Sequence, residues 1–100
     1  MHNHELKIDP LPFELMVQRL KTFEIRKDDR DFHLGDTLTL RETKYSAGEM
    51  AKGLPLEFSG RYASCTVTHL LRAPTYGVPE GYVVMSVRLD LVGSMPGVEQ

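Results

Sequence analysis

The sequence predicts a mostly β domain of the α+β class, a pseudo-barrel closed at one end by one or two short helices. Several segments alternate apolar and polar residues with a period of two, and one short segment carries an apolar stripe at helical spacing. Short turns between several alternating segments favour a sheet in which neighbouring strands pair. The chain has 100 residues, so we expect one core and one site.

The first predicted strand is followed by the helix. His4, Leu6 and Ile8 alternate with polar residues until the chain reaches Asp9-Pro10, which is typical of a half-buried strand. Pro12 suits the first turn of a helix. The apolar residues of this helix recur at i, i+3, i+4 and i+7 and therefore share one face. They are Phe13, Met16, Val17 and Leu20.

A second strand begins at Thr22, where the apolar period changes to two. Phe23 and Ile25 are predicted to enter the core. The opposite, solvent-facing side carries Thr22, Glu24 and Arg26. Lys21 lies where the helix hands over to this strand, so we expect charged side chains at the mouth of the barrel.

The rest of the chain predicts three further strands and one long loop. Residues 37–41 alternate cleanly, whereas residues 43–57 contain two glycines and a proline without a period and are predicted to be a long excursion. Residues 58–71 are rich in β-prone types but contain signals for a bend or bulge. Residues 82–91 show the longest clean alternation and are predicted to be the central strand. A flexible C-terminal tail is expected over residues 93–100.

The composition excludes several classes of protein. The formal net charge is −2, which argues against coating nucleic acid through bulk electrostatics but leaves room for a local basic cleft. The single cysteine, Cys65, cannot form an internal disulfide, and no secretory or membrane-spanning pattern is present. We therefore expect a cytoplasmic protein without a membrane partner.

Three stretches of the sequence carry a likeness to a known family. The central one is Lys21-Thr22-Phe23-Glu24-Ile25-Arg26, with His4-Glu5-Leu6-Lys7-Ile8 before it and Phe32-His33-Leu34-Gly35-Asp36 after it. Together they resemble the ASCH superfamily of PUA-like domains. The likeness is greatest to a small bacterial and phage branch of that superfamily. Its signature, G-x-K-x-x-E-x-R, falls on Arg19, Lys21, Glu24 and Arg26. Arg19 replaces the glycine, so the helix end is expected to lose the usual left-handed cap.

This resemblance implies a PUA-like β-barrel over residues 1–92, with a cleft beside the signature that holds RNA or a modified nucleoside. Some ASCH relatives remove the acetyl group from N4-acetylcytidine, and others are described as ribonucleases. The deacetylating relatives use a lysine, which matches Lys21, and a threonine three residues later, where this chain has Glu24. If the protein is an enzyme, Lys21 and Glu24 are the expected catalytic residues.

Each candidate residue also has an ordinary structural explanation. Lys21 could accept a proton if desolvated, grip phosphate, or simply pair with Glu24 at the surface. Glu24 and Arg26 could bind a base edge or form an ion-pair network that shapes the fold. His4 could be a core histidine or a hydrogen-bond partner of Glu24. The expected ligand-binding residues are Lys21, Thr22, Glu24, Arg26, His4, Arg61 and Tyr45.

We expect neither a metal nor a cofactor. Asp28, Asp29 and Asp31 lack the spacing of a calcium loop, and Cys65 with His69 supplies too few zinc ligands. Three functions remain open: a module that binds RNA or a modified nucleotide, a nucleoside amidohydrolase or ribonuclease, and an accessory protein whose partner is another protein. Loop tyrosines such as Tyr45 could add stacking surfaces for bases.

Overall fold

The structure, a computed structural model that describes residues 1–95, consists mainly of β-strands. The strands are β1 (Asn3–Ile8), β2 (Phe23–Lys27), β3 (Thr37–Thr43), β4 (Phe58–Arg72) and β5 (Tyr82–Ser94). The helices are α1 (Pro10–Val17) and α2 (Ala47–Ala51), and one 3-10 turn spans Thr75–Gly77. The prediction of a mostly β fold with one or two short helices is confirmed. Among the described residues, no helix has the length and apolar character that crossing a bilayer requires.

The five strands form one curled, half-barrel sheet in the order β1-β3-β4-β5-β2. β1 runs parallel to β3, and the other neighbouring pairs are antiparallel. The central strand is therefore β4, and the prediction that residues 82–91 hold that position is wrong. The register of β4 against β5 shifts at Ser64/Cys65 and again at Val67/His69, and such irregularities interrupt the alternation that marks a strand in the sequence.

The hydrophobic core lies on the concave face of this sheet, where α1 covers it. Phe13 and Met16 of α1 are almost fully buried, which confirms their place on the apolar stripe. The strand residues of the core alternate along β3, β4 and β5, as the period of two requires. They include Leu38, Leu40, Ala63, Cys65, Val67, Val83 and Met85.

Arginine side chains bridge the two edge strands of the sheet, β1 and β2. Arg26 on β2 donates from Nη2 to the carbonyl oxygen of Lys7 on β1, at 2.7 Å. Arg30, just after β2, donates from Nη1 to the carbonyl oxygen of Glu5 at 2.8 Å. Carbonyl groups on the free edge of β1 thus have charged donors instead of a neighbouring strand. We call the gap between these two strands the seam.

Helix α1 ends in a Schellman motif whose left-handed residue is an arginine. Arg19 has φ +62°, its N–H donates to the carbonyl of Met16, and the N–H of Leu20 donates to the carbonyl of Leu15. The expectation that replacing glycine by Arg19 removes the left-handed cap is wrong. The two backbone hydrogen bonds maintain the left-handed conformation, although a residue with a Cβ atom is sterically strained there. Leu20 lies beyond the helix and is exposed.

Arg19→Gly is expected to be more stable than Arg19→Ala by about 1 kcal/mol. Both variants remove the hydrogen bond from Arg19 Nη1 to the carbonyl of Leu89, so the comparison isolates the backbone. Only glycine adopts a positive φ without steric strain. Urea denaturation measures the difference, and equal stabilities would contradict the left-handed cap.

Two predictions near the loops need correction. The long excursion contains α2, which begins with a capping box in which the Ser46 side chain accepts from Glu49 N–H and the Glu49 side chain accepts from Ser46 N–H. The sequence pattern Ser-x-x-Glu is the signal that could have predicted this helix.

The predicted flexible tail is wrong for Gly93 and Ser94, which pair with Tyr62 and Arg61 at the end of β5. Its residues 96–100 lie outside the described part of the chain.

Candidate functional site

Strand β2 turns its charged face inwards and its apolar face outwards. Glu24 is 3% exposed, whereas Phe23 and Ile25 are 45% and 55% exposed. The predicted alternation is confirmed, but the prediction that Phe23 and Ile25 enter the core is wrong. Glu24 has two cationic partners, which offset the cost of taking a carboxylate out of water. The opposite, apolar face of β2 is partly open to solvent.

The Glu24 carboxylate joins Lys21 and Arg26 in one network. Lys21 Nζ donates to Oε1 of Glu24 and, at 2.5 Å, to the carbonyl oxygen of Phe23. Arg26 Nε donates to Oε2 of Glu24 at 2.8 Å. Because Arg26 also reaches Lys7 across the seam, the network connects the two edge strands.

The end of α1 places Lys21 for this contact. The N–H of Lys21 donates to the carbonyl of Leu15, which fixes the backbone between helix and strand. The Lys21 side chain is 18% exposed, so its stem is covered while its ammonium group reaches the carboxylate. The predicted handover from helix to strand therefore positions the lysine, as expected.

These groups lie in a cleft of about 330 Å³ at the seam, which we call the charged cleft. Its walls come from the end of β1, the start of α1 and strand β2. It is lined by Lys7, Ile8, Asp9, Pro12, Lys21, Phe23, Glu24, Ile25 and Arg26. Three cationic and two acidic side chains face it, so its net charge is positive although the chain as a whole carries −2.

A second depression, the apolar groove, adjoins the charged cleft. It has a volume of about 390 Å³ and shares Pro12, Lys21 and Phe23 with the cleft. Its other lining residues are Leu11, Leu15 and Leu20. Leu11 and Leu20 are 70% and 72% exposed, so the groove is an open apolar surface beside a charged one.

One protein-family profile matches residues 3–87, which include every residue that lines the charged cleft. The chain belongs to the family described as a domain of unknown function, DUF3850. A comparison with curated proteins finds no match to this chain. The charged cleft of the DUF3850 domain is thus a feature of the matched region, and its chemistry has to be inferred from its residues.

His4 of the DUF3850 domain does not contact Glu24, and that prediction is wrong. Its Nε2 lies 2.8 Å from Oδ2 of Asp36, and its ring centroid is 4.6 Å from that of Phe32. Asp36 is 1% exposed and also accepts from the backbone N–H groups of His2 and His33. Burial alone would raise the pKa of Asp36, but these hydrogen bonds outweigh it and lower the pKa to about 2. His4 therefore holds a loop in place.

The other predicted ligand-binding residues lie outside the charged cleft. Arg61 Nη1 is 3.6 Å from Oε2 of Glu14, and its guanidinium lies 4.9 Å from the ring centroid of Phe13. Tyr45 is half-buried, and its carbonyl accepts from Thr43 Oγ1. Thr22 lines a third depression of about 300 Å³ with Arg19, Lys21, Thr68, Arg88 and others, which we call the basic hollow. Of the seven predicted residues, the cleft thus brings together Lys21, Glu24 and Arg26.

Six residues that line the DUF3850 cleft were not predicted as site residues from the sequence, and they include Lys7, Asp9 and Pro12. Lys7 lies on the solvent side of β1, and only the curl of the sheet brings it opposite β2. No short-range pattern reports this approach, because 11 residues lie between Lys7 and Arg19, the first position of the signature. Asp9 and Pro12 were interpreted only as signals of the strand end and the helix start.

The single cysteine of the DUF3850 domain is not suited to nucleophilic chemistry. Burial, together with the nearby carboxylates of Glu24 and Asp90, raises the pKa of Cys65 to about 12. Its thiol therefore stays protonated at neutral pH, and the thiolate is the reactive form. Within residues 1–95, no group of three histidine, cysteine, aspartate or glutamate side chains is arranged to hold a metal ion.

Proposed function

We propose that the protein binds RNA or a modified nucleotide in the charged cleft. The observation that carries the proposal is the convergence of Lys21, Glu24 and Arg26 in a concave site between the two edge strands. A cleft of about 330 Å³ lies at the lower end of the usual range for small-molecule pockets, which suits one nucleotide. The likeness to ASCH and PUA-like domains points in the same direction.

The cleft offers partners for each part of a nucleotide. Lys7 and Lys21 supply ammonium groups for a phosphate, and the net positive charge favours an anion over a cation. Each carboxylate oxygen of Glu24 has a second lone pair, so Glu24 can accept from an exocyclic amine while it keeps its cationic partners. The Phe23 ring, 45% exposed at the rim, gives a base a surface on which to stack.

The contacts favour binding over hydrolysis. Lys21 donates to Glu24 and to the carbonyl of Phe23, and both oxygens of Glu24 already accept from cations. A general base must accept a proton from water or substrate, whereas Lys21 is the donor in both of its contacts and Glu24 is held in ion pairs with two cations. Nucleoside hydrolysis is thus the alternative that the experiment has to distinguish.

The test compares binding and turnover in two lysine variants. Lys7→Gln removes an exposed charge from the cleft without disturbing an ion pair, and Lys27→Gln removes one from β2 outside the cleft. Single-stranded RNA of random sequence, the four nucleoside monophosphates and N4-acetylcytidine serve as ligands in calorimetry, with chromatography to detect products. We expect Lys7→Gln to weaken binding about fivefold, the value of one solvent-exposed ion pair of about 1 kcal/mol, and Lys27→Gln to have no effect.

Lys21→Met identifies the role of the network. A binding module is supported if Lys21→Met lowers the affinity by about tenfold or more and the unmodified protein forms no product. Product formation that disappears in Lys21→Met would instead assign an enzyme. If no ligand binds and none is converted, the proposal fails, and an accessory role with a protein partner becomes the better hypothesis.

A further inference from the structure

Lys21 is the only residue that lines all three described depressions, the charged cleft, the apolar groove and the basic hollow. Its side chain, an ammonium group on a flexible four-carbon stem, borders each of these three surfaces. A ligand that fills the charged cleft therefore lies next to two further concave surfaces of similar size. They have volumes of about 390 and 300 Å³.

The basic hollow has the chemistry of an anion site. Arg19 and Arg88 line it with the hydroxyl-bearing residues Thr22 and Thr68, and no acidic residue is among its lining residues. Arg88 uses Nε for Asp90 and Nη2 for the Thr66 hydroxyl. Because a guanidinium has five N–H donors, both arginines keep donors for a ligand oxygen. Arg88 is well exposed, with a side chain 64% accessible, so this surface can be reached from solvent.

We infer that the basic hollow is a second anion subsite for the ligand of the charged cleft, which is a single-stranded oligonucleotide longer than one nucleotide. This inference rests on the proposed function. One phosphate lies among Lys7 and Lys21, the next lies against Arg19 and Arg88, and an unstacked base lies in the apolar groove against Phe23. A duplex does not fit, because its bases are stacked inside the helix and cannot enter an apolar groove.

The test measures how affinity depends on RNA length and on the two arginines. The ligands are an equimolar mixture of the four nucleoside monophosphates, single-stranded random-sequence RNA of four nucleotides, and a blunt RNA duplex of about twelve base pairs, long enough to stay annealed. The double variant Arg19→Gly with Arg88→Gln removes both charges and keeps the left-handed cap. The control, Lys44→Gln with Lys52→Gln, removes two surface charges outside all three depressions.

We expect the tetranucleotide to bind at least about tenfold more tightly than the monophosphates, from the added contacts. The arginine variant should lose this gain, keep its affinity for the monophosphates within about twofold, and reduce the slope of log K against log salt by about 1.4. The control should keep the gain. If the tetranucleotide binds no more tightly than the monophosphates, or if the duplex binds as well, the second subsite is overturned and the proposed function stands. If neither ligand binds, both fall.

Discussion

Replacing Glu24 with alanine is expected to lower the free energy of unfolding by about 3 kcal/mol, the low end of the range for removing one partner of a buried ion pair. The carboxylate accepts from Lys21 and Arg26, whose side chains are 18% and 24% exposed. Its loss leaves two partly buried cations without their acceptor. Chemical denaturation followed by circular dichroism measures the change. Glu24→Gln keeps an acceptor oxygen and should lose less stability.

A double variant tests whether the ion pair between Lys21 and Glu24 serves the stability of the fold or the binding of the ligand. Lys21→Met with Glu24→Met removes one complete ion pair and leaves Arg26 on the carbonyl of Lys7. Apolar replacement of a buried ion pair is often neutral or stabilising, so we expect this variant to exceed Glu24→Ala in stability by at least about 1 kcal/mol. It should nevertheless fail to bind the ligand. A double variant less stable than Glu24→Ala would show that the fold itself needs these charges.

Asp36→Asn is expected to lower the free energy of unfolding by about 2 kcal/mol, because hydrogen bonds to a buried charged acceptor are weakened together. The carboxylate accepts from His4 at 2.8 Å and from two backbone N–H groups at 3.0 and 3.1 Å. Asp31→Asn is the matched control, since Asp31 lies five residues earlier in the same connection and its side chain is 88% exposed. The control should change stability little, and a loss equal to that of Asp36→Asn would contradict the assignment.

Acid should remove the contribution of Asp36. Its pKa is about 2 in the folded protein, against an ordinary value of 3.8, so the folded state favours the ionised form. The added stability is complete above pH about 4 and is lost as the pH falls towards 2. Denaturation curves of the unmodified protein and Asp36→Asn should therefore converge over this interval. If the two proteins differ in stability by the same amount at every pH, the hydrogen bonds of Asp36 do not depend on its charge.

The sequence predicted local periods better than the faces that those periods bury. In β2 the alternation was correct, but the buried side carries Glu24, because its ion pairs with Lys21 and Arg26 offset a desolvation cost that a hydropathy pattern assigns to any carboxylate. At Arg19 the residue type argued against a left-handed conformation, and two backbone hydrogen bonds from the helix end maintain it. Such network effects outweigh the preference of one residue.

Long-range contacts were the least accessible to sequence reasoning. His4 was correctly placed on the first strand, but its partner, Asp36, comes close only because β1 pairs in parallel with β3. Lys7 joins the charged cleft for a similar reason, since the sheet must curl before β1 faces β2. The sequence could predict the signature residues as a group. Lys21, Glu24 and Arg26 follow each other at intervals of three and two positions, along β2 and just before it, so the local chain brings them together.

The most direct test of nucleotide binding in the charged cleft is nuclear magnetic resonance of the ¹⁵N-labelled protein titrated with random-sequence RNA of four nucleotides. We expect the backbone amide signals that shift most to belong to residues 7–9, 21 and 23–26, which line the cleft. Signals from residues 48–51 of α2, which make no hydrogen bond to a residue of the cleft, should stay in place. Shifts confined to α2 and the neighbouring loop, or no shifts at saturating RNA, would contradict the assignment of the cleft.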